Sequence, residues 1–160
     1  MLTVTLIVPG KLKEKYLEAA QDEYRKRLTA FCKLNIIEVS VERLPSEPSD
    51  AEIAAALEKE GKRILAAVPS QSYTYALCIE GKQRTSVDFS RELDRLAVSG
   101  TSHVTMIIGS SYGLSDDVKQ FADASLSMSE MTFPHQMARI MLLEQLYRAF
   151  QISSGGKYHK

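Results

Sequence analysis

The hydrophobic residues of this chain alternate between short continuous runs and a helical spacing of three and four residues. Residues 2–8 are mostly apolar or β-branched and end at Pro9 and Gly10, which predicts a buried strand followed by a turn. Between Leu12 and Phe31 the apolar positions recur every three or four residues, which predicts an amphipathic helix. The chain therefore begins with a strand and then a helix.

This order of strand and helix repeats to the end of the chain. Ser49 and Glu52 have the spacing of a capping box, which predicts the start of the second helix. Ser115 and Asp116 can cap the first turn of a short later helix. Strands that alternate with helices pair in parallel, so we predict one α/β domain over residues 1–160, with a mostly parallel sheet flanked by helices. Functional loops are expected at the carboxyl ends of its strands. Further strands are predicted at 34–41, 73–79, 103–108 and 125–129, and further helices at 87–98, 115–122 and 132–152.

The last predicted helix is apolar around most of its circumference, which is typical of a helix buried on more than one side. In a chain this small, one side can face the sheet and another a second copy of the chain, and twofold dimers are the commonest oligomers. We therefore expect a homodimer. The alternative is a helix buried wholly within one subunit. Its apolar residues are Ala138, Ile140, Met141, Leu142, Leu143, Leu146, Tyr147, Ala149, Phe150 and Ile152.

The composition is that of an ordinary folded domain, with 44% hydrophobic and 25% charged residues. No apolar run is long enough to span a membrane, and the N-terminus has no small-residue cleavage site. A cytoplasmic protein without membrane contact is therefore expected. Cys32 and Cys78 are far apart and lack a CxxC pattern, so we expect two buried, reduced thiols and no metal site.

The net charge is zero, which argues against a protein that binds nucleic acid by bulk electrostatics. The charges are nevertheless uneven along the chain. Residues 11–33 carry seven bases and four acids, residues 134–160 four bases and one acid, and residues 42–60 two bases and six acids. We therefore expect an anionic partner to contact the first helix and the C-terminus. A charged face that only meets solvent is the alternative.

One loop, His135 and the C-terminal tail are candidates for chemistry. The loop 109–113, with sequence GSSYG, follows a strand, where α/β proteins place small-molecule sites, although it matches no nucleotide-binding motif and could be purely structural. His135 lies in the first turn of the last helix, whereas His103 opens a strand and is expected to pack. The terminal GGKYHK can stack on bases and contact phosphate, with a disordered tail as the alternative.

Three segments carry a resemblance to a known family: IGSSYGLS from residue 108, SMSEMTFPHQMARIMLLEQLYRAFQI from residue 127, and the terminal KYH. Together with the LTVTLIVPGKLKEKYL start, they make the whole chain similar to the ribosomal large-subunit methyltransferase H family of SPOUT enzymes. That resemblance implies a C-terminal trefoil knot, S-adenosylmethionine as cofactor, and methylation of N3 of a pseudouridine in large-subunit ribosomal RNA. No metal is implied.

The resemblance also implies roles for particular residues. It places His135, Arg139, Tyr158 and His159 on the substrate side. Tyr158 and His159 are the candidate catalytic residues, with the general base left open. From its position at the end of the tail, Lys160 is expected to fix the register of the tail on the substrate. Ser110 replaces a usual Gly and Lys157 a usual Pro. The expected cofactor-binding residues are Leu77, Gly109, Ser110, Ser129, Glu130, Met131, Thr132, Phe133 and Pro134.

Because the net charge is zero, the expected substrate is a preformed particle such as an assembled ribosome, recognised by shape through local basic patches. Two other functions stay open. One is a non-enzymatic ribosome-binding protein that retains the fold, and the other is a small-molecule enzyme on a flavodoxin-like sheet. Binding of S-adenosylmethionine would separate these alternatives from the methyltransferase.

Overall fold

The computed structural model describes all residues from 1 to 160 as five strands alternating with five helices. The strand-then-helix order predicted from the hydrophobic pattern is therefore confirmed. The elements are β1 (Leu2–Pro9), α1 (Lys15–Leu28), β2 (Cys32–Val39), α2 (Asp50–Ala67), β3 (Tyr73–Leu77), α3 (Ser86–Val98), β4 (His103–Ile107), α4 (Asp116–Phe121), β5 (Ala124–Leu126) and α5 (His135–Ser153).

All five strands form one parallel sheet in the order β2-β1-β4-β3-β5. In its centre Thr3 of β1 pairs with His103 of β4, and Tyr75 of β3 pairs with Met106 of β4. Parallel pairing brings the carboxyl ends of all strands to one edge of the sheet, and the loops after β3, β4 and β5 begin there. The α/β class is confirmed, whereas the trefoil knot that the resemblance implies stays a prediction.

The helices cover both faces of the sheet. On one face α5 packs between α1 and α3, over a core that includes Leu6, Met106 and Leu143. On the other face α2 and α4 pack over Ile7, Ile107 and their neighbours. A parallel sheet buried on both sides explains why its strands are continuous apolar runs in the sequence.

Side-chain caps fix several helix starts as predicted. Ser49 and Glu52 form both hydrogen bonds of a capping box at α2, and the Ser115 hydroxyl accepts from the Val118 amide at α4. The first helix starts later than expected, at Lys15, because Leu12 is buried in the preceding turn rather than in a helical face. The fifth strand starts and ends earlier than expected, at Ala124–Leu126.

Two further features concern the length of the helices and the burial of the cysteines. None of the five helices has the length and apolar character needed to cross a membrane. Cys32 is buried as expected, and burial raises the pKa of its thiol to about 11, so it stays protonated at neutral pH. Cys78 is only half-buried, contrary to the prediction, because β3 ends just before it and it lines an open cleft.

Candidate active site

A cleft of about 800 Å³ opens at the carboxyl edge of the sheet, a volume within the range of small-molecule sites. Its walls are the segments that follow β3, β4 and β5, and the first turn of α5. About half of the lining residues are apolar, which suits a flat aromatic group. The lining residues are Leu77, Cys78, Ile79, Glu80, Ile108, Gly109, Ser110, Ser111, Tyr112, Gly113, Leu114, Lys119, Leu126, Met128, Ser129, Met131, Thr132, Phe133, Pro134, His135 and Ala138.

The loop after β4 folds tightly back on itself at Gly109. A Cβ atom placed on Gly109 would lie 2.3 Å from the carbonyl oxygen of Gly113, so no side chain fits there. The turn closes through the Gly113 amide, which donates to the Ser110 carbonyl at 2.8 Å, and Gly113 has a φ of +89°. Both glycines are therefore required by the backbone of a loop that lines the cleft.

Ser110 has no positive φ, so a serine can replace the family's usual glycine here without backbone strain. Its hydroxyl donates to Glu60 Oε1 at 2.7 Å, and Glu60 Oε2 accepts from the Glu42 amide at 2.9 Å. Glu60 is only 6% exposed. This carboxylate therefore ties the cleft loop to α2 and to the segment after β2.

The segment after β5 is shaped by serine hydroxyls. Ser127 Oγ donates to the Ser129 carbonyl at 3.0 Å, and Ser129 Oγ accepts from the Met131 amide at 3.0 Å. These bonds curve the chain around the cleft, with Met131 74% exposed at its mouth. Of the residues predicted here to bind cofactor, Glu130 alone does not line the cleft.

The first turn of α5 lies at the cleft with His135 on its lining. Burial lowers the pKa of His135, and the nearby charges of Arg139 and Lys13 lower it further, whereas Glu60 raises it. The imidazole is therefore uncharged at neutral pH and can donate a hydrogen bond from one nitrogen and accept one at the other. The free backbone amides of this turn can also bind an anionic group.

Arg139 does not line the cleft, although the sequence assigned it to substrate binding. It is only 1% exposed, and burial lowers the pKa of its guanidinium. Its Nη2 donates to the Gly10 carbonyl at 2.8 Å, and its Nη1 donates to Glu38 Oε2 at 3.2 Å. In the subunit, therefore, Arg139 contacts protein groups and joins α5 to the end of β1 and to β2.

The C-terminal tail packs against the second half of α5. The Tyr158 ring packs on Tyr147 with centroids 4.9 Å apart, and its hydroxyl donates to Glu144 Oε1 at 3.1 Å. Arg148 Nη1 contacts His159 Nδ1 at 3.2 Å. Since α5 rises about 1.5 Å per residue, Tyr147 lies roughly 18 Å along the helix from His135. Tyr158, His159 and Lys160 do not line the cleft of their own subunit.

The structure thus brings Leu77, Gly109, Ser110, Ser129 and residues 131–134 around one cleft with His135, and leaves Glu130, Arg139 and the tail outside its lining. An ion pair that the sequence analysis did not identify, Glu80 with Lys119, also lines it. Glu80 lies in the loop after β3 and Lys119 in α4, so no short spacing in the sequence connects them. No cluster of three or more His, Cys, Asp or Glu side chains is arranged to hold a metal ion.

Comparison with known proteins identifies the family. A family model described as a predicted SPOUT methyltransferase matches residues 2–159. The chain belongs to the SPOUT methyltransferase family. It is 49% identical over 159 residues to the ribosomal RNA large subunit methyltransferase H of an Exiguobacterium species, and 50% identical over 159 residues to that of Latilactobacillus sakei. Each alignment covers 99% of this chain and 100% of the relative.

Membership of the SPOUT methyltransferase family indicates the kind of chemistry for which the protein needs a ligand site. The protein is an enzyme that transfers a methyl group, and a methyl donor needs a site on it. The glycine-shaped loop 109–113 and the segment 129–134 occupy the carboxyl edge of the sheet, where α/β enzymes hold their ligands. The resemblance proposed from the IGSSYGLS and MTFPHQMAR segments is therefore confirmed at the level of the family.

Proposed function

We propose that this SPOUT methyltransferase, as a single domain of residues 1–160, methylates N3 of a pseudouridine in large-subunit ribosomal RNA with S-adenosylmethionine. The observation that carries the proposal is the convergence of the family-like segments on one cleft of about 800 Å³. The relatives that match over their full length support the substrate class, because their names specify large-subunit ribosomal RNA.

The residues of the cleft fit S-adenosylmethionine. Leu77, Ile108 and Leu126 offer an apolar surface to an adenine ring, and backbone groups of the loop 109–113 can hydrogen-bond to its edge. The amides at the start of α5 suit the carboxylate of the methionine part. S-adenosylmethionine supplies a methyl group that is already activated by its sulfonium. Glycine at position 109 lets the loop fold tightly on Gly113, which keeps the backbone groups of the loop at the cleft wall.

The chain's own residues then have to orient the target base and accept its N3 proton. His135 is uncharged at the cleft and can hydrogen-bond to the base without adding positive charge. His159 is the candidate proton acceptor, because a neutral imidazole nitrogen can accept a proton, and Tyr158 is the candidate stacking residue, because a tyrosine stacks on bases. Correct positioning beside an activated methyl group supplies much of the rate enhancement.

Tyr158 and His159 pack against a part of α5 that is too far from the cleft for them to serve the cleft of their own subunit. We propose that the enzyme is a homodimer in which the tail of one subunit completes the cleft of the other. The glycines at 155 and 156 follow the end of α5, and Gly155 has a φ of +72°, so the chain can turn there. Lys160 would fix the register of the tail against RNA.

The proposed substrate is the assembled ribosome in the cytoplasm, because a protein of zero net charge holds naked RNA poorly. The test is calorimetric titration with S-adenosylmethionine, followed by transfer of labelled methyl groups to intact ribosomes and to free ribosomal RNA. We expect binding, and methylation of ribosomes in preference to free RNA. Ribosome binding without methyl transfer would favour the non-enzymatic alternative instead.

A further inference from the structure

Three exposed lysines lie between the end of β1 and the first residue of α1. Lys11, Lys13 and Lys15 are all exposed, and Tyr16 beside them is 67% exposed. None of the three lysines forms an ion pair, so their charges are free to meet an anionic partner. We call residues 10–16 the basic loop.

The basic loop is held at three points rather than free. The Gly10 carbonyl accepts from Arg139 Nη2 at 2.8 Å, the Leu12 side chain is buried with 7% exposed, and the Lys13 amide donates to Gln136 Oε1 at 3.0 Å. Because Leu12 points inward, Lys11 and Lys13 on either side of it point outward. The anchors therefore present the lysines at a fixed place with little loss of backbone freedom on binding.

The place at which they are presented is the edge of the cleft. Gln136, which holds the Lys13 amide, follows His135 of the cleft lining, and the charge of Lys13 is close enough to lower the pKa of His135. An RNA strand with one nucleotide in the cleft can therefore reach the basic loop with a neighbouring phosphate. The other exposed cations of α1, Lys26 and Arg27, lie at its opposite end.

We propose that the basic loop binds the phosphate backbone of the RNA next to the nucleotide in the cleft, and that Arg139 is the positioning residue that holds it there. This inference rests on the proposed function, because it requires an RNA substrate. Lysine ammonium groups bind phosphates as point charges, and Tyr16 can stack on a neighbouring unpaired base. Arg139 then influences substrate binding without touching the substrate.

The test replaces Lys11, Lys13 and Lys15 together by glutamine and measures binding to ribosomes at several salt concentrations. Each phosphate contact contributes about 0.7 to 0.9 to the slope of log affinity against log salt, so losing three lowers the slope by about 2. We expect at least tenfold weaker binding at low salt and unchanged affinity for S-adenosylmethionine. The matched control replaces Lys59, Lys62 and Arg91, which lie on other surfaces and should leave ribosome binding unchanged.

Unchanged ribosome affinity and salt slope in the triple variant would overturn the proposal. So would conversion of the triple variant to a different oligomeric state, since that would assign the lysines to a subunit contact. These results are distinct from a failure of the proposed function, in which the unaltered protein itself would neither bind S-adenosylmethionine nor methylate ribosomes.

Arg139→Met tests the positioning role separately. It should weaken ribosome binding while S-adenosylmethionine affinity is retained, and it should add little further loss when combined with the triple lysine substitution. Equal losses in both backgrounds would show that Arg139 does not act through the basic loop. Arg139→Lys, which keeps the charge, provides a second variant if the methionine variant does not fold.

Discussion

Gly109 is the residue at which the cleft tolerates least change. In Gly109→Ala the new methyl group would overlap the Gly113 carbonyl, so the loop must move away from its present course. We expect affinity for S-adenosylmethionine to fall at least tenfold, measured by calorimetry, and the melting temperature to fall slightly. The matched control is Ser111→Ala in the same loop, which adds no atom. Equal affinity of the two variants would mean that the loop does not shape the site.

The hydrogen bond between Ser110 and Glu60 can be tested through its contribution to the free energy of unfolding. Glu60→Ala leaves the Glu42 amide and the Ser110 hydroxyl without their acceptor, and a buried unpaired group costs about 1–3 kcal/mol. In a Ser110→Gly background one of the two donors to Glu60 is already absent, so Glu60→Ala should lower the free energy of unfolding by less. Urea unfolding of the four proteins should give a coupling free energy of about 1 kcal/mol. Strict additivity would show that the bond contributes nothing to stability.

At this scale the sequence predicts local chemistry better than distant pairing. The caps at Ser49 and Ser115 depend on neighbours three residues away, and both were predicted correctly. Arg139 and Glu60 are buried charged residues whose partners come from other segments of the chain. Arg139 donates to Glu38 and to the Gly10 carbonyl. Glu60 accepts from Ser110 and from the Glu42 amide. A charged residue in a helical pattern normally indicates a solvated position, so neither burial was predictable.

At the scale of the elements, the prediction of a dimer rests on the last helix, α5. Its inner faces pack on the sheet and between α1 and α3, while Met137 stays 46% exposed on its outer side. We expect Met137→Glu to convert a dimer to monomers at low micromolar concentration, as measured by sedimentation, because a buried unpaired charge opposes association. Val98→Glu is the control, since Val98 is 89% exposed on α3. An unaltered protein that sediments as an active monomer would contradict the prediction.

The boundaries of the elements differ from the predicted ones by a few residues, for physical reasons. A buried residue in a turn, such as Leu12, has the same apolar character as one on a helical face. Likewise the pairing of Ala124 with Tyr75 extends β5 backwards, where the sequence gives no β-branched signal. The pattern therefore predicts which elements exist, and tertiary contacts decide where each one starts.

For the whole molecule, the arrangement of the tail predicts complementation between subunits. One subunit would lack residues 157–160 and the other would carry Gly109→Ala. In the mixed dimer one cleft combines an intact loop with an intact tail from its partner, so methylation should return to a substantial fraction of normal. Each variant alone should show activity reduced by roughly 10²-fold or more, as expected for lost positioning.

The outcome of the mixed-dimer assay is decided by where the tail acts. No recovery would assign the tail to its own subunit, and full activity of the tail-deleted protein would remove any role for it. S-adenosylmethionine binding by the tail-deleted subunit is the control, and it should be unchanged because the tail does not line the cleft.

The interior position of β1 in the sheet has a consequence for how the chain folds during translation. Of the five strands, β1 leaves the ribosome first, yet β4, one of its two neighbours in the sheet, is made much later. Arg139, which donates to the Gly10 carbonyl at the end of β1, is made later still. Contacts this distant in sequence make folding slow, and an apolar strand without its neighbours is prone to aggregate. Newly made chains should therefore depend on chaperones until α5 has been synthesised.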